Sequence, residues 1–471
     1  MSYERHVMYP RIASLALAAS LPLFTLAGPA TGASAAPLPP AQAPAALTAA
    51  PAAVTPAPKN VIVMIGDGMG FNQLDAGTLF RDGTSSGQVN VTAGGSISHV
   101  AGVLPAELAG SDVQLSVRTT QYGASYDPSA AWSSFGYVLD NPTDSAAAAT
   151  AMATGTKTSN GAIGVDITGA TLENLTEYAI ATGRKAGVVT TVPFSHATPA
   201  GFSAHDVDRN HYKAIARDQL NSKLSVVMGA GHPWYTDNHN KRSSAKYTYL
   251  YKSDYKRLAR GTSGFTYLTS KKRFKALTTG SAPKRVFGLA RVASTLQEKR
   301  KGATDVPGAK LNGVPSLAMM TAGALNVLDS DPDGLFLMVE GGAIDWANHA
   351  SEKGRVLEET GDFLDAIGAV NSWVETHSSW AETLLIVTAD HESGYLTGAG
   401  SNPDWTAITG TAGAVPAMSY HSSGHTRQLV PLFARGAGAS LFTAEVVGDD
   451  PVRGAYVDNT SIAAVVERLW P

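Results

Sequence analysis

The chain has 471 residues, with 36 Lys and Arg against 39 Asp and Glu and a formal net charge of only -3. It contains no Cys, which excludes disulfides, thiolate nucleophiles and Cys-liganded zinc and leaves any metal ion to His and carboxylate. One apolar run near the start, about sixteen residues, is short for a membrane span, and no later stretch approaches the roughly 20 apolar residues that one needs.

Residues 1–35 read as a secretory signal: basic Arg5 and Arg11, an apolar run from Ile12 to Ala27, and small residues at Ala33, Ser34 and Ala35 in the A-x-A pattern of a cleavage site. A soluble protein, secreted to the extracellular space, periplasm or wall, is expected. Residues 36–58 hold seven Pro, ten Ala and no charge, a composition that buries no core and predicts a disordered linker. From Lys59 to Pro471 the chain is read as one catalytic domain, because its motifs are scattered from end to end yet make sense only as one site.

The apolar run Val61 to Ile65 predicts a buried strand, and Gly66-Asp67-Gly68 after it predicts a tight turn that carries a carboxylate toward a metal. Taken alone, Asp67 reads equally well as a helix cap. Asp144 and Ser145 open an Ala-rich segment, Ala146 to Ala153, closed by Thr154-Gly155, which predicts a helix with Asp144 at its cap. Ser145 then lies at a helix amino terminus, where free N–H groups and the dipole favour a phosphate dianion and a serine alkoxide alike, although Asp-Ser before a helix reads, taken alone, as a capping device. Leu172 to Ala181 reads as an amphipathic helix and Gly187 to Val192 as a second buried strand. Residues 241–300 carry sixteen Lys and Arg against two acids and are expected to form a basic surface insertion, bounded near 235–305. Its plain reading is a solvated face; attraction to anionic substrates, wall polymers or nucleic acid is the alternative.

Further along, Leu335 to Val339 predicts a strand ending at Glu340, and Asp345 and His349 stand four apart, so one helical turn puts both on one face. Val356 to Val374 reads as a long amphipathic helix. Leu384 to Val387 predicts a strand followed by Asp390-His391, either a ligand pair or a hydrogen-bonded couple. His421 and His425 repeat the spacing of four around Gly424, where a loop is expected. Alternating strands and helices imply an α/β fold, a three-layer α/β/α sandwich with a mostly parallel central sheet. Ligands bind such sheets outside the carboxyl ends of the strands, where these acidic and His residues fall.

Together these segments resemble the alkaline phosphatase family. The matching segments are Ile65 to Gly70, Thr143 to Ala146 with Thr154 to Thr156, His196 to Pro199, Val339 to Gly342 with Ile344, Asp345 and His349, Thr388 to His391, and Gly424 to Thr426. The resemblance implies hydrolysis of small-molecule phosphate monoesters through a phosphoserine on Ser145, with two Zn2+ and one Mg2+, in a homodimer. It also implies that Asp345, His349 and His425 bind the first zinc and Asp67, Asp390 and His391 the second. Thr198 and Glu340, with Asp67 bridging, would hold the magnesium. Arg209 matches the arginine that clamps phosphate and Asp144 the acid that orients it.

The chain departs from the enterobacterial branch of the family at His196 and Trp346, where that branch has Asp and Lys. Trp346 is therefore expected to remove a cation that contacts phosphate through water, and His196 to weaken magnesium binding from outside the ligand set. His421 is kept as a reserve ligand. A phosphodiesterase of the same superfamily and a non-catalytic phosphate-binding wall protein are the competing readings; Ser145 together with Arg209 favours the monoesterase.

Overall fold

Asn60–Gly66, seven residues all buried, forms strand β1 near the middle of the central sheet. The structure, a computed structural model, describes residues 57–308 and 310–470; the expected leader at 1–35 and the expected linker through residue 56 lie outside them. Ten further strands join β1: β2 (Val113–Arg118), β3 (Lys185–Pro193), β4 (Val226–Ala230), β5 (Thr266–Leu268), β6 (Val286–Leu289), β7 (Leu335–Gly341), β8 (Thr383–Thr388), β9 (Val430–Gly436), β10 (Val446–Asp450) and β11 (Gly454–Asp458). Their order is β10-β11-β2-β9-β8-β1-β7-β3-β4-β6-β5. The seven neighbours from β8 to β5 are all parallel. Beyond β8, strand β9 runs antiparallel to it, and β2 antiparallel to β9.

Successive side chains of a strand point to opposite faces, so a strand buried at every position must be covered on both. Burying each of Val61, Ile62, Val63 and Ile65 stabilises the fold by about 1.5–3 kcal/mol. Helices supply the cover in two groups: Phe71–Asp82, Leu317–Leu328 and Lys353–His377 pack together, as do Ser145–Thr154, Ala197–Gly201 and Ser461–Leu469. The result is the expected α/β sandwich. Lys353–His377 contains the predicted Val356 to Val374 helix. The helix predicted from Leu172 starts later, at Leu175, because Asn174 and Glu177 form a reciprocal capping box that fixes its first turn.

The basic segment is both surface and sheet. Lys252, Lys256, Lys272 and Lys275 are exposed, whereas Phe265, Phe274, Leu277 and Phe287 are buried in the main core, and β5 and β6 extend the parallel edge. The register places the carboxyl ends level: Ile65 lies opposite both Thr388 and Glu340, and Thr190 opposite Glu340. Loops leaving β1, β3, β7 and β8 therefore begin at one place.

Candidate active site

Asp67 leaves β1 into a turn closed by the Met69 N–H donating to the Gly66 carbonyl at 3.0 Å. Gly68 has φ +70°, and a Cβ there would lie 2.9 Å from the Asp345 Cα and the Ser393 Oγ. Glycine is thus required both by the left-handed backbone and by the close approach of two neighbouring segments. The Gly68 N–H donates to the Asp390 carboxylate at 3.1 Å, which ties the ends of β1 and β8 together.

Ser145 starts its helix as expected, with Asp144 at the cap and Gly155 in the left-handed conformation past the end. The Asp144 carboxylate accepts from Ala147 N at 2.9 Å, from Gly161 N at 2.9 Å and from Arg209 Nη1 at 2.8 Å. One side chain therefore caps the helix, fixes the 161 loop and aims the guanidinium. The Arg209 backbone N–H also donates to the Gly161 carbonyl at 2.8 Å. Ser145 Oγ is buried and lies 3.2 Å from His391 Nε2.

Two groups of candidate ligands meet beside Ser145. Asp345 Oδ1 lies 3.2 Å from His349 Nε2 and 3.5 Å from His425 Nε2, and the two imidazoles are 3.1 Å apart. The His349 Nδ1 donates to the Ser423 carbonyl at 2.5 Å and the His425 Nδ1 to the Thr143 carbonyl at 2.8 Å; both rings are thereby oriented with Nε2 toward Asp345. In the second group, His391 Nε2 is 3.2 Å from Asp390 Oδ2 and 3.6 Å from Asp67 Oδ1. The groups are contiguous, for Asp345 and His425 also offer ligand atoms within 4.8 Å of His391. Thr198 Oγ1 is 3.4 Å from Asp67 Oδ2, and the Thr190 hydroxyl donates to Glu340.

These carboxylates are poorly compensated by the protein itself. Asp67 Oδ1, Asp390 Oδ2 and Glu340 Oε1 are buried without a hydrogen-bond donor. Burial, then the charges of Asp390, Asp345 and Glu340, pushes the Asp67 carboxyl well above the usual range. Burial likewise carries Glu340 to about 7 and Asp390 to about 6. Burial acts on Asp345 in the same sense, but hydrogen bonds from His349 and His425 win and hold it well below. His391 is pushed well below the usual histidine range by burial and by His425. A buried carboxylate without a partner is strongly disfavoured, so this donor set suits hard divalent cations.

Ser145, Arg209, Asp345, His349, His425 and Trp346 line one open cavity of about 470 Å³, with His196 at its wall. His196 is buried with no partner for Nδ1. It stacks on Tyr212 at 6.0 Å, sits edge-on to Trp346 at 5.4 Å, and is lowered to about 3 by burial and Arg209, so it stays neutral. His421 does not join the ligand groups: its Nε2 pairs with Thr397 Oγ1 at 2.7 Å and its ring packs on Phe135 and Tyr395. Sequence reasoning missed Thr190, Ser393 and Lys299. The Ser393 hydroxyl donates to Asp345 and lies 3.3 Å from His391 Nδ1. Lys299 also lines the cavity, with its Nζ 5.7 Å from the Trp346 ring centroid. An ammonium from another segment thus stands beside the Trp346 ring.

Residues 133–422 match the family model described as alkaline phosphatase. Alkaline phosphatase 4 of Bacillus subtilis is 34% identical over 277 residues, covering 57% of this chain and 53% of the relative. Alkaline phosphatase 3 of the same organism is 32% identical over 354 residues, 74% of this chain and 64% of the relative. The chain thus spans between about half and two thirds of the length of these relatives. Alkaline phosphatase from the Antarctic bacterium TAB5 superposes with a TM-score of 0.58 at 25% identity, covering 88% of this chain and 98% of that one. Among the described residues no helix is long and apolar enough to cross a membrane.

Proposed function

The chain belongs to the alkaline phosphatase family, and from that premise we propose that it hydrolyses phosphate monoesters to an alcohol and inorganic phosphate, with Ser145 as the nucleophile. One observation carries the reading: the Asp144 carboxylate joins the capped amino terminus bearing Ser145 to the Arg209 guanidinium at 2.8 Å. Nucleophile and cation thereby face the same cavity, held by a single rigid side chain.

Two Zn2+ and one Mg2+ fit the donors. Asp345, His349 and His425 hold one zinc in this reading, Asp67, Asp390 and His391 the other, and Thr198 and Glu340, with Asp67, the magnesium. The carboxylate oxygens left without donors on Asp67, Asp390 and Glu340 support that fit. When bound, such ions lower the pKa of the serine hydroxyl and neutralise charge on the departing oxygen.

The chain's own residues do the positioning. Arg209 grips two non-bridging oxygens with its planar fork, and Asp144 keeps the fork in place. The Ser145 oxygen attacks phosphorus in line, the bond to the alcohol breaks on the far side, and a phosphoserine remains at the helix amino terminus, where N–H groups favour its charge. Water then attacks phosphorus from the vacated side, the bond from phosphorus to the Ser145 oxygen breaks, and inorganic phosphate leaves as the serine oxygen regains a proton. A diester presents one fewer charged oxygen to Arg209, so the clamp favours monoesters. Export through the 1–35 leader and assembly as a homodimer belong to the same reading; amino-terminal sequencing of the secreted protein and its mass in solution test them.

The deciding assay is hydrolysis of a chromogenic phosphate monoester and a matched diester, with and without chelator. The monoester should be strongly preferred, chelation should abolish turnover, and Zn2+ with Mg2+ should restore it. Equal turnover of both esters, or full turnover after chelation, would overturn the proposal.

A further inference from the structure

Lys299 reaches the cavity from the basic segment rather than from any of the motif-bearing loops, and the segment that carries it is firmly held. The Leu296 N–H donates to the Thr191 carbonyl at 3.1 Å, near the carboxyl end of β3, and Leu296 is fully buried. Ser294 donates to Asp237 from both its backbone and its hydroxyl. On the other side, Arg300 is buried and forms a two-pronged ion pair with Glu358 at 2.6 and 2.8 Å. Lys299 stands between two buried neighbours, Glu298 and Arg300, and its side chain is 45% exposed while that of Glu298 is 1% exposed. Its ammonium pairs with Glu298 Oε1 at 2.8 Å and faces the Trp346 ring. Carboxylate and indole together hold one flexible amine at the wall of the cavity that contains Ser145 and Arg209.

We propose that Lys299 is a second phosphate-binding cation of this site, its ammonium meeting the outward oxygens of the phosphoryl group and of the phosphate product while Arg209 holds the inner ones. Trp346 is the shelf on which the amine rests. The proposal rests on the phosphatase reading above and deepens it. An ammonium is a compact, strongly hydrated charge on a flexible stem, so it follows an anion entering or leaving where a guanidinium fork fixes geometry. A dianion bound beside it competes with Glu298 for the same amine, which keeps the grip loose enough for release.

The experiment uses full-length, metal-loaded protein in four forms: parent, Lys299→Gln, Lys299→Glu and Lys299→Arg. The Kd for inorganic phosphate is measured by calorimetry at low and high salt, alongside kcat and KM on a chromogenic monoester. Loss of one charge-assisted contact at a half-exposed position should raise the phosphate Kd about tenfold in Lys299→Gln, and further in Lys299→Glu. KM should carry the kinetic loss, Lys299→Arg should stay within about threefold of the parent, and the salt dependence of Kd should shrink in Lys299→Gln. A merely structural lysine would change thermal stability without changing that salt dependence. If the parent hydrolyses the monoester and the Kd stays within twofold in both charge-removing variants, Lys299 is not a phosphate ligand and the phosphatase reading stands. If the parent binds phosphate through Lys299 without hydrolysing the monoester, the phosphatase reading falls, and with it the part of this proposal that concerns the phosphoryl group and the product, while the phosphate contact of Lys299 stands. A parent that does neither overturns both.

Discussion

Removing divalent cations should destabilise this protein, and the loss should widen as pH rises from 5 to 9. The reason lies in the buried carboxylates, because in the chain by itself burial carries Asp390 to about 6, Glu340 to about 7 and Asp67 well above the usual range. A carboxyl whose pKa is raised on folding keeps a proton that the unfolded chain gives up. Its contribution is complete below the unfolded value near 4 and is lost as pH climbs through the folded one. Raising Asp390 to about 6 and Glu340 to about 7 is worth roughly 3 kcal/mol each by that rule. His349, raised to about 9 by its hydrogen bond to Asp345, loses stability in the same direction between about 6.5 and 9. His391 is lowered, chiefly by burial, and opposes the trend below about 6.5 but adds nothing above it.

Allowing for that offset, about 4 to 6 kcal/mol should disappear between pH 5 and 8. Unfolding entropy near 2.1 cal/mol/K per residue, over about 410 residues, converts this to about 5 °C in midpoint. The assay is a thermal scan of chelated and Zn2+/Mg2+-loaded protein at each pH, with the gap between the two as the readout. Titrations elsewhere in the molecule cancel in the gap. A gap that stays constant or narrows from pH 5 to 8 would refute the claim that these carboxylates are held for cations.

Ser145→Ala should lose at least about 10² to 10³ in rate, on the order of 3 to 4 kcal/mol; a variant that keeps half the parent rate places the nucleophile elsewhere. Arg209→Ala should reduce monoester turnover more than diester turnover, and equal losses on both substrates would remove Arg209 from the clamp. Gly68→Ala forces a side chain into a left-handed backbone, at roughly 1–2 kcal/mol, and against the Asp345 backbone at 2.9 Å. A lower melting midpoint with sharply reduced activity is expected, and a fully active Gly68→Ala enzyme would contradict the close approach. Charge reversal at exposed Lys252, Lys256, Lys272 and Lys275 should leave kcat unchanged and alter only the salt dependence of kcat/KM; a collapse of kcat would mean that this face builds the site.

Much of the candidate site could be read locally because its residues are defined by what stands beside them along the chain. The Ser145 helix announced itself through an acidic cap, an Ala run and a closing Gly. The candidate ligands at Asp67, Glu340, Asp390 and His391 each follow a continuous apolar run, and such runs form strands buried on both faces. Asp345 and His349 needed only helical spacing. Where the sequence misled, the competing interaction was local, as at Asn174 and Glu177, whose reciprocal cap shortened the helix expected from Leu172.

Sequence by itself therefore determined the α/β class, the strand ends and the kinds of side chain available there. Only the tertiary structure decided which of them meet. The level register of β1, β3, β7 and β8 brings Ser145 Oγ to 3.2 Å from His391, a contact between residues 246 positions apart, and sends His421 to Thr397 instead of to the carboxylates. It also carries Lys299 out of a basic run that reads as solvated surface and onto the ring of Trp346. No local pattern encodes that placement, because it follows from the burial of Leu296 against β3 and of Arg300 against Glu358, and contacts so distant along the chain exist only once the core has packed.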